Sequence, residues 1–265
     1  MQSRGLRRVS RHLALAVTFL TGIPLPIEGE ASPSELWRSM AWYPVVGLVM
    51  GAFAVVLFAA ALVVLPSLVA AAVVVLALEV VARGLHLDGL MDAADGLLSG
   101  ASRERALEIM KDSRVGAMGV GAAVFCIVLK VAALGSLSGA TAAVPLLVGW
   151  AAARSLPALA VYIWPYARSN GTGRGFTQER SLGPVILDLA FLAVILILVS
   201  GLGASLDTPT GVFVGPAIAA VSMAVAFGVL SLAARRLGGL TGDLYGMSIE
   251  IVEVAALVVG SALAR

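Results

Sequence analysis

Residues 43–85 read YPVVGLVMGAFAVVLFAAALVVLPSLVAAAVVVLALEVVARGL, an apolar run that is interrupted by Pro66. Proline cannot continue a helix, so its position favours a helical hairpin that turns at this residue. A helix that crosses a bilayer needs about 20 mostly apolar residues. Both halves of the run have nearly that length, and they predict two spans, near 43–65 and 67–85.

The rest of the chain repeats this pattern. Further spans are predicted near 115–137, 140–162, 184–204, 211–233 and 244–264. Of the 265 residues, 60% are hydrophobic and 13% are charged, which is more apolar than a soluble domain of this size can bury. The sequence therefore predicts an all-α, polytopic transmembrane helix bundle of about seven spans, formed by a single integral membrane domain over residues 1–265.

The N-terminal segment differs from these spans. Residues 13–27 are apolar but short, and they end in Gly22-Ile23-Pro24-Leu25-Pro26, which predicts an interfacial or re-entrant piece. No small-residue cleavage motif follows the apolar stretch, so a signal peptide is not expected. The net charge of +2 comes from scattered arginines, which argues against nucleic acid as a partner and leaves the lipid bilayer. Whether the chain forms a homo-oligomer is left open.

The distribution of basic residues predicts the orientation, because lysine and arginine are retained on the cytoplasmic side. Four arginines precede the first apolar segment: Arg4, Arg7, Arg8 and Arg11. Counting spans from a cytoplasmic N-terminus returns three arginine-rich segments to the same side: 86–114, 163–183 and 234–243. We expect a multi-pass protein of the cytoplasmic membrane whose polar residues, and hence its active site, face the cytoplasm.

An acidic stretch, His86-Leu87-Asp88-Gly89-Leu90-Met91-Asp92-Ala93-Ala94-Asp95-Gly96, carries the strongest chemical signal. In a helix, Asp88, Asp92 and Asp95 fall at i, i+4 and i+7, within an arc of roughly 60°. Like charges at this spacing repel, so a cation is expected between them, and carboxylate oxygens suit Mg²⁺ or, alternatively, Mn²⁺. The alternative is a solvated acidic face at the end of the second span.

Small and basic residues surround this stretch. Gly89 and Gly96 would let a substrate or a second helix approach the backbone. His86 could contact a phosphate or act as a base, although a lone histidine at a helix end is often structural. Residues 103–114 predict an amphipathic helix that ends in Asp112-Ser113-Arg114, where Arg114 could hold phosphate oxygens or form a surface salt bridge.

A third block, Gly238-Gly239-Leu240-Thr241-Gly242-Asp243, brings a further carboxylate to the same side. Glu250 and Glu253 follow inside the last predicted span and fall on roughly the same helix face as Asp243. Two cations, Lys130 and Arg154, lie within predicted spans. Arg154 is the better candidate for phosphate binding, because a guanidinium forms a planar fork, whereas Lys130 could pair with an acid.

A basic, glycine-rich loop over 165–176 contains Arg168. Such a loop could close over an anionic ligand, or it could be a positive-inside anchor.

Taken together, these blocks resemble the cobalamin synthase family, the membrane adenosylcobinamide-GDP ribazoletransferases. The resemblance extends over nearly the whole chain. It is carried by Phe19 to Pro24, Tyr43 to Gly47, Arg83, His86 to Gly96, Asp112 to Gly116, Arg154, Tyr166 to Arg168 and Gly238 to Asp243.

The resemblance implies an Mg²⁺-dependent phosphotransferase. It would transfer the phospho-cobinamide moiety of adenosylcobinamide-GDP to α-ribazole or α-ribazole 5′-phosphate and release GMP, late in cobalamin biosynthesis. The implied metal ligands are Asp88, Asp92, Asp95, Asp243 and Glu253. The implied catalytic residues are Asp92, Asp95, Asp243 and His86. The implied substrate-binding residues are Arg83, Asp112, Arg114, Arg154, Arg168, Gly89 and Gly96.

The same acids allow two other interpretations. Asp92-Ala93-Ala94-Asp95-Gly96 resembles the opening of the CDP-alcohol phosphotransferase motif, but Ser99-Gly100 and the later residues Ser113 and Ala117 depart from that pattern. An ion-coupled transporter could use intramembrane acids as a relay. It would be expected to show paired broken helices in two matching halves, which the sequence does not indicate.

Overall fold

The computed structural model of the protein describes residues 2–168, 174–177, 180–205 and 211–264. Within these ranges there are α-helices and a short 3₁₀ turn at Met40–Trp42, but no β-strand, as the sequence predicts. The helices are α1 Gln2–Thr21, α2 Pro33–Ser39, α3 Tyr43–Leu62, α4 Ser67–Val81, α5 Leu85–Leu98, α6 Arg103–Ile109, α7 Ala117–Gly135, α8 Gly139–Ile163, α9 Arg174–Thr177, α10 Leu182–Ser205, α11 Gly211–Leu237 and α12 Gly242–Leu263.

Six helical segments of the described chain are long and apolar enough to cross a membrane, and they confirm six of the predicted spans. They are Pro33–Leu62, Ala117–Gly135, Gly139–Ile163, Leu182–Gly201, Val212–Leu237 and Gly242–Leu263. At the N-terminus, the apolar helix Val9–Thr21 is shorter than a span. The protein is therefore a multi-pass membrane protein.

The predicted span 67–85 is the one that differs. Helix α4 ends at Val81, and α5 leaves it at an angle of 89°. The turn contains two consecutive left-handed residues, Arg83 with φ 55° and Gly84 with φ 66°, and this conformation cannot continue a right-handed helix. Asp88 and the residues after it thus lie on a separate, bent-away helix and not at the inner end of a straight second span.

Helix α8 forms the centre of the bundle and packs against α3, α10, α11 and α12. Its contact with α3 depends on Gly47 and Gly51, because a Cβ at either glycine would collide with the backbone of α8, at Trp150 and Leu146 respectively. Small residues of this kind let two helix backbones approach closely in a membrane. The outward faces of α3, α7 and α10 expose large apolar side chains, as expected of lipid-facing surfaces.

A buried ion cluster lies beneath the surface of the bundle, formed by Glu79, Lys130, Arg154, Glu250 and Glu253. The Nζ of Lys130 on α7 lies 3.1 Å from Glu79, 2.7 Å from Glu250 and 2.6 Å from Glu253. Arg154 on α8 pairs with the other oxygen of Glu253. The cluster joins α4, α7, α8 and α12, and it confirms the expectation that Lys130 pairs with an acid.

We expect Gly51→Val to separate α3 from α8, because the first carbon of the new side chain would already collide with the Leu146 carbonyl. Overpacking of this kind destabilises by about 1–3 kcal/mol. The melting temperature of the purified protein in detergent should fall. Gly121→Val on α7 is the matched control, since a Cβ at Gly121 meets nothing within 4 Å. Equal melting temperatures for the two variants would contradict the close α3–α8 contact.

Lys130→Met should destabilise the protein strongly, because it leaves the buried Glu250 and the half-buried Glu79 without a cation and removes one of the two cations that bind Glu253. Removing one partner of a buried ion pair costs about 3–5 kcal/mol. Thermal unfolding followed by size-exclusion chromatography measures the loss. Lys111→Met, at an exposed lysine after α6, serves as the control. If both variants unfolded at the wild-type temperature, the cluster would not be holding the four helices together.

Candidate active site

Helices α5 and α12 touch through their backbones at two glycines. A Cβ at Gly89 would lie 2.8 Å from the carbonyl oxygen of Asp243, and a Cβ at Gly246 would lie 3.2 Å from that of His86. Any side chain at these positions would push the helices apart. Of the two readings of Gly89, close approach of a second helix is the one that the structure shows. The crossing sets Asp88 and Asp92 beside Asp243.

These three carboxylates form an acidic group, defined here as Asp88, Asp92 and Asp243. The charges of Asp88 and Asp243 both act on Asp92. Asp88 is exposed and Asp92 is half-buried. Within the described part of the chain, neither of these two carboxylates has a hydrogen bond or an ion pair, so both remain available to a ligand.

Asp243 is the member of the acidic group with a cationic partner. Its Oδ2 lies 2.7 Å from Nη2 of Arg168 and 3.2 Å from the Thr241 hydroxyl, which caps the start of α12. Arg168 also donates to the carbonyl oxygen of Met110. Arg168 therefore lies at the site, as the sequence predicts, but it contacts a carboxylate. Residues 169–173 of the predicted basic loop lie outside the described residues.

Asp95 lies on the same helix, but its side chain contacts the start of α7 instead of the acidic group. Its two oxygens accept hydrogen bonds from the backbone N–H of Gly116 at 2.7 Å and of Gly119 at 2.8 Å, at the beginning of α7. A carboxylate at a helix N-terminus satisfies free N–H groups and the positive end of the helix dipole. The predicted stripe of three aspartates is thus divided.

Glu253 and Arg154 are far from the acidic group. Ten residues separate Glu253 from Asp243 along α12, which at 1.5 Å per residue is about 15 Å. Both oxygens of Glu253 are paired within the buried ion cluster, and Arg154 is 1% exposed there. The prediction of Glu253 as a metal ligand beside Asp243, and of Arg154 as a phosphate ligand, is therefore corrected. Helical periodicity predicts which residues share a helix face, but it does not indicate how deep in the bundle each of them lies.

Two cavities meet at Asp88. The inner cavity, of about 480 Å³, is the more enclosed, and its walls are mostly apolar, with His86, Asp88 and Asp243 on one side. The outer cavity, of about 560 Å³, lies between α1 and the α4–α5 turn. Both cavities share Thr18, Phe19, Leu85 and Asp88. A ligand in either cavity would therefore lie beside Asp88.

The predicted substrate-binding residues fall into two sets. Arg83 lines the outer cavity, and its side chain packs against Gly22, where a Cβ would collide with it. Gly96 instead packs against Met110 and the backbone of α6, so it serves helix contact and not substrate.

Asp112 and Arg114 form a salt bridge at the protein surface. Arg114 Nη2 lies 2.7 Å from Asp112 Oδ2, and the Arg114 side chain is 87% exposed. The hydrogen bonds from the side chain and backbone of Arg114 lower the pKa of Asp112 to about 2. Neither residue lines the two cavities, and the surface salt bridge that the sequence offered as the alternative is present.

Sequence reasoning missed the residues that shape the inner cavity. Phe19, Tyr43, Phe176 and Tyr245 all line it, and they come from four separate segments of the chain. Phe19, Tyr43 and Tyr245 do lie inside or beside the motifs singled out in the sequence, but a periodicity pattern assigns aromatic residues in an apolar helix to packing. Their shared location needed the tertiary structure.

Comparison with known proteins shows the family. The chain matches the family model described as cobalamin-5-phosphate synthase over residues 12–261. A protein named adenosylcobinamide-GDP ribazoletransferase from Desulfitobacterium hafniense is 41% identical over 259 residues, which covers 93% of this chain and 95% of the relative.

Proteins of the same name from Brevibacillus brevis and Pseudomonas savastanoi are 39% and 36% identical, and each alignment covers 92% of this chain. These alignments cover 95% and 96% of the two relatives. No solved structure shows significant similarity to the chain. Because the family model and these relatives extend over almost the entire sequence, the protein belongs to the cobalamin-5-phosphate synthase family.

Proposed function

We propose that the protein is an adenosylcobinamide-GDP ribazoletransferase, which transfers the phospho-cobinamide moiety of adenosylcobinamide-GDP to α-ribazole or α-ribazole 5′-phosphate and releases GMP. The observation that carries this function is Asp88, a carboxylate without a partner among the described residues where the two cavities meet, with the equally unpaired Asp92 one helical turn further along α5. Phosphoryl transfer is mainly positioning and charge neutralisation, and this is where two ligands could be positioned against a shared acidic group.

The reaction requires one bond to form and one to break. A hydroxyl oxygen of the ribazole attacks the phosphorus that is attached to cobinamide, the bond from that phosphorus to the bridging oxygen of the diphosphate breaks, and GMP leaves with the bridging oxygen. The hydroxyl proton passes to a carboxylate. Asp243 is suited to accept it, because it lines the inner cavity and Arg168 holds only its Oδ2.

The acidic group is a suitable place for Mg²⁺, with Mn²⁺ as the alternative ion. Among the described residues, only Glu79, Glu250 and Glu253 offer three ligand atoms within 4.8 Å of one another, and Lys130 already binds all three. Asp88 and Asp92 supply only two carboxylates, but neither carboxylate is paired within the described residues. Such a site fits Mg²⁺, which usually binds one or two carboxylates and completes its shell with water and substrate phosphates. There it would neutralise charge on the diphosphate.

We place the acidic group at the cytoplasmic face of the membrane. Basic residues gather at the same end of the bundle: Arg103 donates to the Leu237 carbonyl at 2.7 Å, Arg236 to the Ala101 carbonyl at 3.1 Å, and Arg168 pairs with Asp243. An excess of arginine at one end favours the cytoplasmic side. The side chains of Arg4, Arg7 and Arg8, which also support this orientation in the sequence, lie outside the described part.

The transporter alternative finds little support in the fold. A transporter of that kind pairs two broken helices in matching halves. The described residues contain one bent pair, α4 and α5, and no second. Glu250 and Glu253, inside α12, are paired with Lys130 and Arg154 and so are not free to relay an ion. Asp188 on α10 is buried without a hydrogen-bond partner among the described residues, but it is a single acid and does not form a relay.

The central test is release of GMP. Purified full-length protein in lipid nanodiscs, given adenosylcobinamide-GDP, α-ribazole and Mg²⁺, should form GMP and adenosylcobalamin in equal amounts, measured by liquid chromatography. A chelator should abolish the product, and added Mg²⁺ or Mn²⁺ should restore it. No GMP under any of these conditions would refute the transferase. Formation of GMP in the presence of the chelator would refute only the metal requirement and not the transferase reaction.

Asp92→Asn should lower kcat by about 100-fold or more, because it removes one of the two unpaired charges that face the transferred phosphate. The expected melting temperature is that of the wild type, since Asp92 holds no protein partner among the described residues. The control Glu108→Gln neutralises an exposed carboxylate on α6 and should keep full activity. A fully active Asp92→Asn variant would remove this residue from the mechanism.

A further inference from the structure

The inner cavity has an aromatic wall. The ring of Phe19 stacks with that of Tyr43 at a centroid distance of 6.2 Å and an interplanar angle of 15°. The ring of Phe176 also packs against Phe19, with a centroid distance of 4.9 Å. Leu20, Val161 and Ile249 extend the apolar surface. Such a wall favours a flat, apolar ring system that can stack or pack edge-on against it.

Three residues of the cavity wall carry a buried polar atom without a partner. The Nε2 of His86 and the hydroxyls of Tyr43 and Tyr245 make no hydrogen bond within the described chain, although the residues are only 3%, 1% and 9% exposed. A buried polar group without a partner is costly, and native proteins rarely leave one unexplained. All three residues line the inner cavity, so a ligand there could supply missing hydrogen bonds.

The inner cavity is large enough for one of the two substrates of the proposed reaction and too small for the other. About 480 Å³ lies in the range of pockets for small molecules, and it suits a nucleoside. The donor carries a corrinoid macrocycle and two further nucleosides, which are together far too large for this space. The more open outer cavity, with Arg83 in its wall, suits a diphosphate.

We propose that the inner cavity is the acceptor subsite, which binds a nucleoside with an apolar bicyclic aromatic base. The base lies against Phe19 and Phe176, His86 and Tyr245 bond polar atoms of the nucleoside, and a sugar hydroxyl reaches Asp243 at the polar wall. This inference rests on the proposed function and adds to it the separation of the acceptor from the donor, which enters from the outer cavity with its diphosphate beside Asp88 and Arg83.

The test measures binding of α-ribazole alone to the full-length protein in nanodiscs, by calorimetry without donor. Ile249→Trp should fill part of the cavity, weaken binding by at least about 10-fold and raise the KM for the nucleoside, while the KM for the donor stays the same. Val254→Trp is the matched control. It lies on the same helix, in a separate groove with Leu90 and Cys126, and should bind α-ribazole as the wild type does.

A second, gentler variant keeps the inference testable if Ile249→Trp fails to fold. Tyr245→Phe removes one hydroxyl and leaves the ring, so it should weaken nucleoside binding about 2- to 10-fold, the range of one hydrogen bond. The inference is overturned if Tyr245→Phe and any folded Ile249→Trp protein bind α-ribazole with wild-type affinity, as they would if a lipid chain occupied the cavity. A rise in donor KM alone would also overturn it.

The same experiments separate this inference from the reaction itself. If the wild type binds α-ribazole, Ile249→Trp does not bind it, and no GMP is ever formed, the subsite is supported and the proposed transferase reaction is refuted. If GMP is formed and the nucleoside KM is unchanged in Ile249→Trp and Tyr245→Phe, the reaction is supported and the assignment of the acceptor subsite is refuted.

Discussion

The backbone contact of α5 with α12, at Gly89 and Gly246, is the constraint on which the active site depends. Neither helix alone carries the acidic group, because Asp88 and Asp92 lie on one and Asp243 on the other. Only glycine permits the separation that the structure shows, since a Cβ at Gly89 would lie 2.8 Å from the Asp243 carbonyl. The 89° bend after α4 then turns the carboxylates of α5 toward that crossing.

Charge has two different uses in this bundle. In the buried ion cluster, Lys130 and Arg154 hold three glutamates together, and the low dielectric of the surroundings makes every unpaired charge there expensive. In the acidic group, Asp88 and Asp92 have no partner among the described residues, and Asp88 lies at the edge of two cavities where ligands can reach it. The first arrangement supports the helices, and the second is available for chemistry.

The two cavities offer separate places for two substrates of unequal size. A small, enclosed, aromatic space lies on one side of Asp88, and a more open one with Arg83 lies on the other. Substrates held in this way would meet beside Asp88, so that positioning can do most of the catalytic work. The family assignment agrees with such a division, because its relatives are named for the transfer of ribazole with a GDP-activated partner.

The sequence alone determined the all-α membrane bundle, six of its seven predicted spans and the family, because apolar length and short motifs are local properties of the chain. It also brought Asp88, Asp92 and Asp243 to notice. Only the tertiary structure showed that Asp95 caps α7, that Glu253 and Arg154 neutralise each other about 15 Å along α12, and that Asp112 pairs with Arg114 at the surface. Helical spacing specifies the face of a residue, whereas its depth and partners depend on how distant helices pack.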